Sequence, residues 1–512
     1  MPSSRDPDLL FALQQELEIF IRSLRHPIVV EDEVELFDLT AARWKLTVEF
    51  GKLLFEAWNT TRSIARRVEG VAYRDRGRIG IFARKPGGRE TGTLEFRDLE
   101  QPEKTGRAHA ADRTRFRKEF LALLGREYSG WSFERVSNRS DLAHSFSTWY
   151  TRGLARQGRT GWAFLGVAES EFPAAMDSVL AHGLIWLDWL RAQSQHATVA
   201  GLKLFLPPAA VRLSAHRAAC LNNRAVQVEI LEWKPGNVRP VSIDIKDFGN
   251  VETRLAPRRQ GELLVKTHRP LLQEWVGDSL DQMDLVADSS GNFTSLRVRG
   301  LEVARVEGQI TPQIYFGLEG SCRKLDEANR GEFRRFMKQV LQVRDARSRD
   351  KSHEYYRLQS ERWLESLLLR DITKIDSELL PECVYPQVPA FSATDRGIID
   401  ILGVTRRGRL AVIELKVHEE INLPVQGLDY WLRVKWLQDR GQFQERGYFQ
   451  GVELSHAPPL LYLVCPAFRF HSSIDRVIRY LDPSIEIIQV GLNDQWREGF
   501  QVLFRRAIRT PR

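Results

Sequence analysis

Near the N-terminus, "LLFALQQELEIFIRSLR" sets Gln and Glu among apolar residues at helical spacing. The pattern predicts an amphipathic helix and not a signal peptide. Strand-like runs follow as far as about residue 110, where the loop "EKTGRAHAADR" closes a first α/β domain, 1–110. From 111 to 255 the pattern alternates. "RFRKEFLALLGREY" is helical, "WAFLGV" is a strand and "AAMDSVLAHGLIWLDWLRAQ" is a helix; "GLKLFLP", "AVRLSAHRAACLNN" and "AVQVEILEW" then read as strand, helix and strand. This is a second α/β domain. Residues 256–350 read mostly as strands ("SLRVRGLEVARVE", "PQIYFGLEG") and end in a charged connecting helix.

The last predicted domain, 351–512, begins with the helix "SERWLESLLLRDI" and the paired apolar runs of "GIIDILGVTRRGRLAVIELKV". A helix over "LPVQGLDYWLRVKWLQDR" follows, with Pro424 in its first turn. "PLLYLVCPAF" is a strand, "SSIDRVIRYL" a helix, "IEIIQVGL" a strand and "GFQVLFRRAI" a final strand. The longest apolar runs are too short to span a bilayer. The four cysteines are far apart and form no CxxC pair, which argues against a zinc knuckle or disulfide framework and fits a reducing cytoplasm. No GxGxxG after a strand, GxxxxGK[ST], HExxH or GxSxG occurs, so the common nucleotide-loop, zinc-protease and serine-hydrolase signatures are absent.

Three charges interrupt the runs of the 397–417 segment: Asp400, Glu414 and Lys416. A charge in an apolar strand costs several kcal/mol unless it is paired or bound to a metal. With "RRG" (406–408) as a three-residue loop and Gly408 in the left-handed position, cross-strand partners sum to 814. Thr405 then faces Arg409, and Asp400 falls opposite Glu414, with Cβ atoms about 5 Å apart. Lys416 points to the same face. The opposite face (Ile399, Ile401, Ala411, Ile413, Leu415, Val417) is apolar throughout. Two carboxylates that close repel unless a cation lies between them. Mg²⁺ suits hard oxygen ligands of this kind, and phosphodiester hydrolysis is the chemistry that uses such a set.

Asp, thirteen residues, then Glu-x-Lys resembles the motif of the PD-(D/E)XK nuclease superfamily. "QGLDY" places Gln426 and Tyr430 four apart on one helical face, similar to the QxxxY motif of its RecB-like branch. "SERWLE" resembles the helix of NucS-like endonucleases whose Glu approaches the metal, which maps to Glu361, with Glu365 as its rival. The resemblance covers only about 160 residues and departs from the pattern at Ile399, where the family's proline would stand. It implies a restriction-endonuclease-like fold, a central mixed sheet flanked by helices. It also implies Mg²⁺ or Mn²⁺ held by Asp400, Glu414 and the Leu415 carbonyl. Lys416 would act on the water or the transition state, Gln426 and Tyr430 on the phosphate, and Glu361 would support the metal. The implied activity is nucleic-acid cleavage, of DNA more often than RNA and by endonuclease action. A nuclease fold that binds nucleic acid or assembles without turnover is the alternative, and a homodimer or larger complex remains open.

The formal charge of +8 fits a polyanionic partner; no membrane partner is expected, because the apolar runs are too short to span one. Residues 351–512 hold 22 Lys plus Arg against 21 Asp plus Glu; the first 350 hold 53 against 46. The basic excess, and with it much of the expected grip on nucleic acid, therefore lies N-terminal to the hairpin. His418 reads as an exposed turn residue, and "WLDWL" (186–190) as a core helix and not a stacking platform. Arg505, Arg506, Arg509 and Arg512 form a basic tail. An echo of the hairpin, "DRGRIGIFARKPGGRETGTLEFR" (75–97), puts Gly80 opposite Glu95 if "PGGR" is its loop, with Arg97 at the Lys position. Two unrelated hairpins of similar turn style explain it better than a decayed nuclease repeat.

Overall fold

The structure, a computed structural model, describes the chain except residues 1–6, 32–33, 50–51, 59–62, 76–77, 85–90, 99–105, 142–143, 172, 194–197, 247–252, 256, 259–260, 289–291, 309–310, 319–321, 352, 393–395 and 509–512. The "PGGR" loop and the tail residues Arg509 and Arg512 lie outside the described residues. The chain is mixed α/β and divides into two compact units, each assembled from separated stretches of sequence. Among the described residues no helix is long and apolar enough to cross a membrane.

The first unit comprises Met1–Pro102, Pro257–Arg370 and Gln495–Phe500. Helix Pro7–Ser23 packs Leu17 and Ile21 against a seven-stranded sheet between Pro27 and Asp98, antiparallel at every pairing. The 75–97 echo has the expected register, with Gly80 opposite Glu95. Glu95 pairs with Arg97 at 3.5 Å and Arg78 at 3.8 Å, so two cations flank one carboxylate there. A second antiparallel sheet of five strands runs from Asp284 to Lys324. Where 256–330 was expected to be mostly strands, Gly261–Val276 is a helix. Leu264, His268 and Leu272 are all buried at helical spacing on one face, and this packing overrides the single interior Pro270. The helix Ser360–Arg370, expected to open the nuclease domain, also belongs to this unit.

The second unit comprises Glu103–Ala256, Asp371–Asp494 and Gln501–Arg512. Its elements are labelled here in chain order. Helix α1 (Gly106–Glu127) begins inside the stretch expected to be a loop. Strands β1 (Ser132–Ser137), β2 (Tyr150–Gln157), β3 (Thr160–Val167), β4 (Thr198–Leu206), β5 (Gln227–Glu232) and β6 (Val241–Ile243) make a sheet of order β6-β5-β4-β3-β2-β1. Within it β3, β4 and β5 are parallel, and helices α2 (Pro173–Gln193) and α3 (Pro208–Ala218) make the crossovers. Trp186 is buried in α2, as a core reading of "WLDWL" requires, and stacks on Trp189 with centroids 5.0 Å apart.

The other sheet of this unit has seven strands in sequence order: β7 (Thr253–Leu255), β8 (Tyr385–Ser392), β9 (Arg396–Val404), β10 (Leu410–Leu415), β11 (Leu460–Pro466), β12 (Glu486–Leu492) and β13 (Val502–Ile508). It is mixed: β10, β11 and β12 are parallel and the other pairings antiparallel. Helix α4 (Leu423–Gln438) covers β10 and β11. The borders drawn at 255 and 350 from the pattern of helices and strands differ from the bounds of this unit, for two reasons. Strand β7, from the earlier segment, extends the later sheet by pairing with β8. One apolar core also holds both Leu184 and Leu204 of the earlier segment and Leu428, Leu461 and Ile487 of the later one.

Candidate active site

The β9–β10 hairpin has the register that its sequence predicts. Val404 pairs Leu410 and Ile401 pairs Ile413, a constant sum of 814. The Thr405 N–H donates to the Arg409 carbonyl at 2.8 Å, and Gly408 is left-handed at φ 74°. A Cβ on Gly408 would also overlap the Glu453 carbonyl, so glycine is required there twice over. The six residues of the expected apolar face are buried.

Asp400 and Glu414 occupy the next positions of this register, beyond the last paired residues. There the partner of the Leu415 N–H is not β9 backbone but Asp400 Oδ2, at 3.0 Å. This contact fixes the Asp400 carboxylate against β10. Leu415 thus meets Asp400 through its N–H, in addition to the carbonyl that the nuclease resemblance assigns to a metal. Glu414 is only 2 % exposed, and Lys416 Nζ donates to its Oε1 at 3.2 Å. The three charged residues are therefore neighbours at the end of the hairpin. His418 is exposed.

Helix α4 brings the next two. Gly427 lets it lie close on β11: a Cβ there would stand 2.9 Å from the Leu463 side chain, and Leu463 is the strand partner of Glu414. Gln426 and Tyr430 consequently face Glu414 and Lys416, and all four line a pocket of about 210 Å³. Asp400 is not part of that lining. Its charge still reaches Tyr430: burial pushes the phenol pKa up, Glu414 and then Asp400 push it further, and Lys416 pulls it back. Gln426 Oε1 is buried and accepts no hydrogen bond among the described residues.

Four further side chains line the pocket: Asp177 from α2, Arg217 from α3, and Asp429 and Arg433 from α4. Arg217 is nearly buried. Its Nε and Nη2 donate to the two Asp429 oxygens at 2.9 and 2.7 Å, and Nη2 also donates to Asp177 Oδ1 at 2.7 Å. Asn422, just before α4, donates to the other Asp177 oxygen at 3.3 Å. Burial alone would lower the Arg217 pKa, but Asp429 and Asp177 outweigh it and hold the guanidinium charged. Burial raises the Asp429 carboxyl, with Arg217 opposing. These two shifts pull the pair in opposite senses; with two carboxylates on one fork, the charged pair is the state adopted here.

Glu361, the sixth expected residue, lies on the Ser360–Arg370 helix of the first unit, so it is not among the residues that the second unit gathers. Its rival Glu365 is buried and pairs with Arg362 at 3.1 Å. Among the described residues no cluster of three or more His, Cys, Asp or Glu is arranged to hold a metal. The donor set at the hairpin is two carboxylates, which fits a cation such as Mg²⁺ that completes its shell with water and substrate oxygens. No protein-family model matches the chain, and no curated protein matches it.

Proposed function

We propose that the chain is a metal-dependent phosphodiesterase acting on nucleic acid, with a restriction-endonuclease-like catalytic sheet and DNA endonuclease action as its expected specificity. The observation that carries the reading is the hairpin end. A nearly buried Glu414 is held 3.2 Å from the Lys416 ammonium, and beside it Asp400 is fixed on the Leu415 N–H. Such a charged set is costly in a sheet core, and a scaffold has no use for it. Asp400 and Glu414 are the residues that would hold Mg²⁺ or Mn²⁺, which when bound acidifies water and neutralises phosphate charge.

The protein groups then have separate tasks. Lys416 has three donors and no acceptor in its ammonium form, so it orients the attacking water and stabilises charge on the phosphoryl oxygens. The water oxygen bonds to phosphorus, the bond to one ester oxygen breaks, the proton the water gives up is matched by one taken by that departing oxygen, and the products are a phosphomonoester and a hydroxyl. Gln426 and Tyr430 hold the phosphate from α4, while Arg217 fixes that helix through Asp429. Calorimetric titration with Mg²⁺ and Mn²⁺ tests the site. Wild type should bind, and Asp400→Ala should lose most of the heat. Equal binding by both would place the cation elsewhere.

A further inference from the structure

Arg433 was not singled out by the hairpin motif. It lies seven residues after Gln426 and three after Tyr430, on the same face of α4, and lines the same pocket as Glu414 and Lys416. Its guanidinium is anchored: Nη1 donates to the Ala390 carbonyl at 2.8 Å. It also occupies the space above Gly397. The three atoms that a Cβ on Gly397 would meet first all belong to the Arg433 guanidinium, and the nearest would overlap it. Gly397 lies in strand β9 and outside the left-handed region, so its missing side chain serves this close approach and not a turn. The other arginine of the pocket, Arg217, directs its fork at Asp177 and Asp429.

We propose that Arg433 is a phosphate-binding residue of this site, held in place by its close approach to Gly397. The inference rests on the phosphodiesterase reading. The ligand is the phosphodiester backbone of a nucleic-acid strand, because a planar fork matches two phosphate oxygens where an ammonium acts as a point charge. Arg433 stands about 10 Å along the helix from Gln426. Tyr430 lies between them, about one helical turn from each, so the three side chains form one row along the pocket.

The test compares wild type, Arg433→Gln, Arg433→Lys, Gly397→Ala and the Gly397→Ala/Arg433→Gln double variant, after circular dichroism and melting show each to be folded. In Gly397→Ala the new methyl meets only the end of a flexible side chain, so the fold should survive while the guanidinium moves aside. Labelled single- and double-stranded DNA and RNA are titrated in EDTA over a range of about 50–200 mM salt. Arg433→Gln should weaken binding and flatten the log K against log salt slope by about 0.7–0.9, one phosphate contact. Arg433→Lys should keep the slope and lose part of the affinity. Gly397→Ala should resemble Arg433→Gln, and the double variant should bind no worse than Arg433→Gln alone. An unchanged slope in Arg433→Gln, or additive losses in the double variant, overturns the assignment; if wild type still cleaves, the phosphodiesterase reading stands without it. A flattened slope in a protein that never cleaves keeps the phosphate contact and removes the enzyme. Wild type that binds none of the four nucleic acids overturns both.

Discussion

Replacing Arg217 by Met should be among the most damaging single changes in the second unit. The side chain is 2 % exposed and makes three charged hydrogen bonds of 2.7–2.9 Å to Asp429 and Asp177. Methionine matches much of its length and none of its charge. The Asp429 carboxylate would stay buried without its fork, whereas Asp177, 32 % exposed, can turn to water and Asn422. Breaking one partner of a buried pair costs about 3–5 kcal/mol, much of it the penalty of the charge left behind. At 2–4 °C per kcal/mol, the melting temperature of this unit should fall by roughly 6–20 °C. The partner experiment is Arg217→Met with Asp429→Leu, which removes both buried charges and should recover most of the loss. Scanning calorimetry reads both. A single variant that melts within about 2 °C of wild type, or a double variant no better than the single, would refute the view that this ion pair fastens α4 to α3.

Other consequences are as direct. Gly427→Ala should cost about 1–3 kcal/mol by pressing α4 off Leu463, and should lower turnover by shifting Gln426 and Tyr430; denaturant melts and cleavage rates check the two effects. His182 is buried under Tyr150, and burial lowers its pKa to about 4. The folded state therefore binds this proton less tightly than the unfolded one. The stabilisation is complete above the unfolded value near 6.5 and is lost as pH falls towards 4, worth about 3 kcal/mol in all. His182→Gln should flatten the stability-against-pH curve over that window; an unchanged curve would contradict the assignment.

The hairpin was legible because a strand period of two and a three-residue loop leave little freedom: once Gly408 takes the left-handed position, register and facing follow for every residue from 400 to 414. The helical spacing of Gln426 and Tyr430 was equally local. Asp429 and Arg433 complete that stripe and were within reach of the same spacing rule. Asp177 and Arg217 were not, because they reach the pocket only through a core shared across more than 200 residues of chain, which no local pattern encodes. Strand β7 was hidden for the same reason: three residues carry no recognisable period, and only the exposed edge of β8 gives them a partner. The helix at Gly261–Val276 had a readable apolar face, obscured by one proline and by the strand-rich stretch after it.

The central claim, that the Asp400, Glu414 and Lys416 cluster cleaves phosphodiesters, is tested most directly by one assay. The full chain and Lys416→Ala are incubated with labelled single- and double-stranded DNA and RNA in Mg²⁺, Mn²⁺ or EDTA. Wild type should cut at least one of these substrates with a divalent metal and none in EDTA. Lys416→Ala, folded by circular dichroism and still able to bind, should be at least ~100-fold slower, the scale of losing one preorganised contact to the transition state. A wild type that cuts nothing with either metal, or a folded Lys416→Ala that cuts as fast as wild type, would contradict the claim.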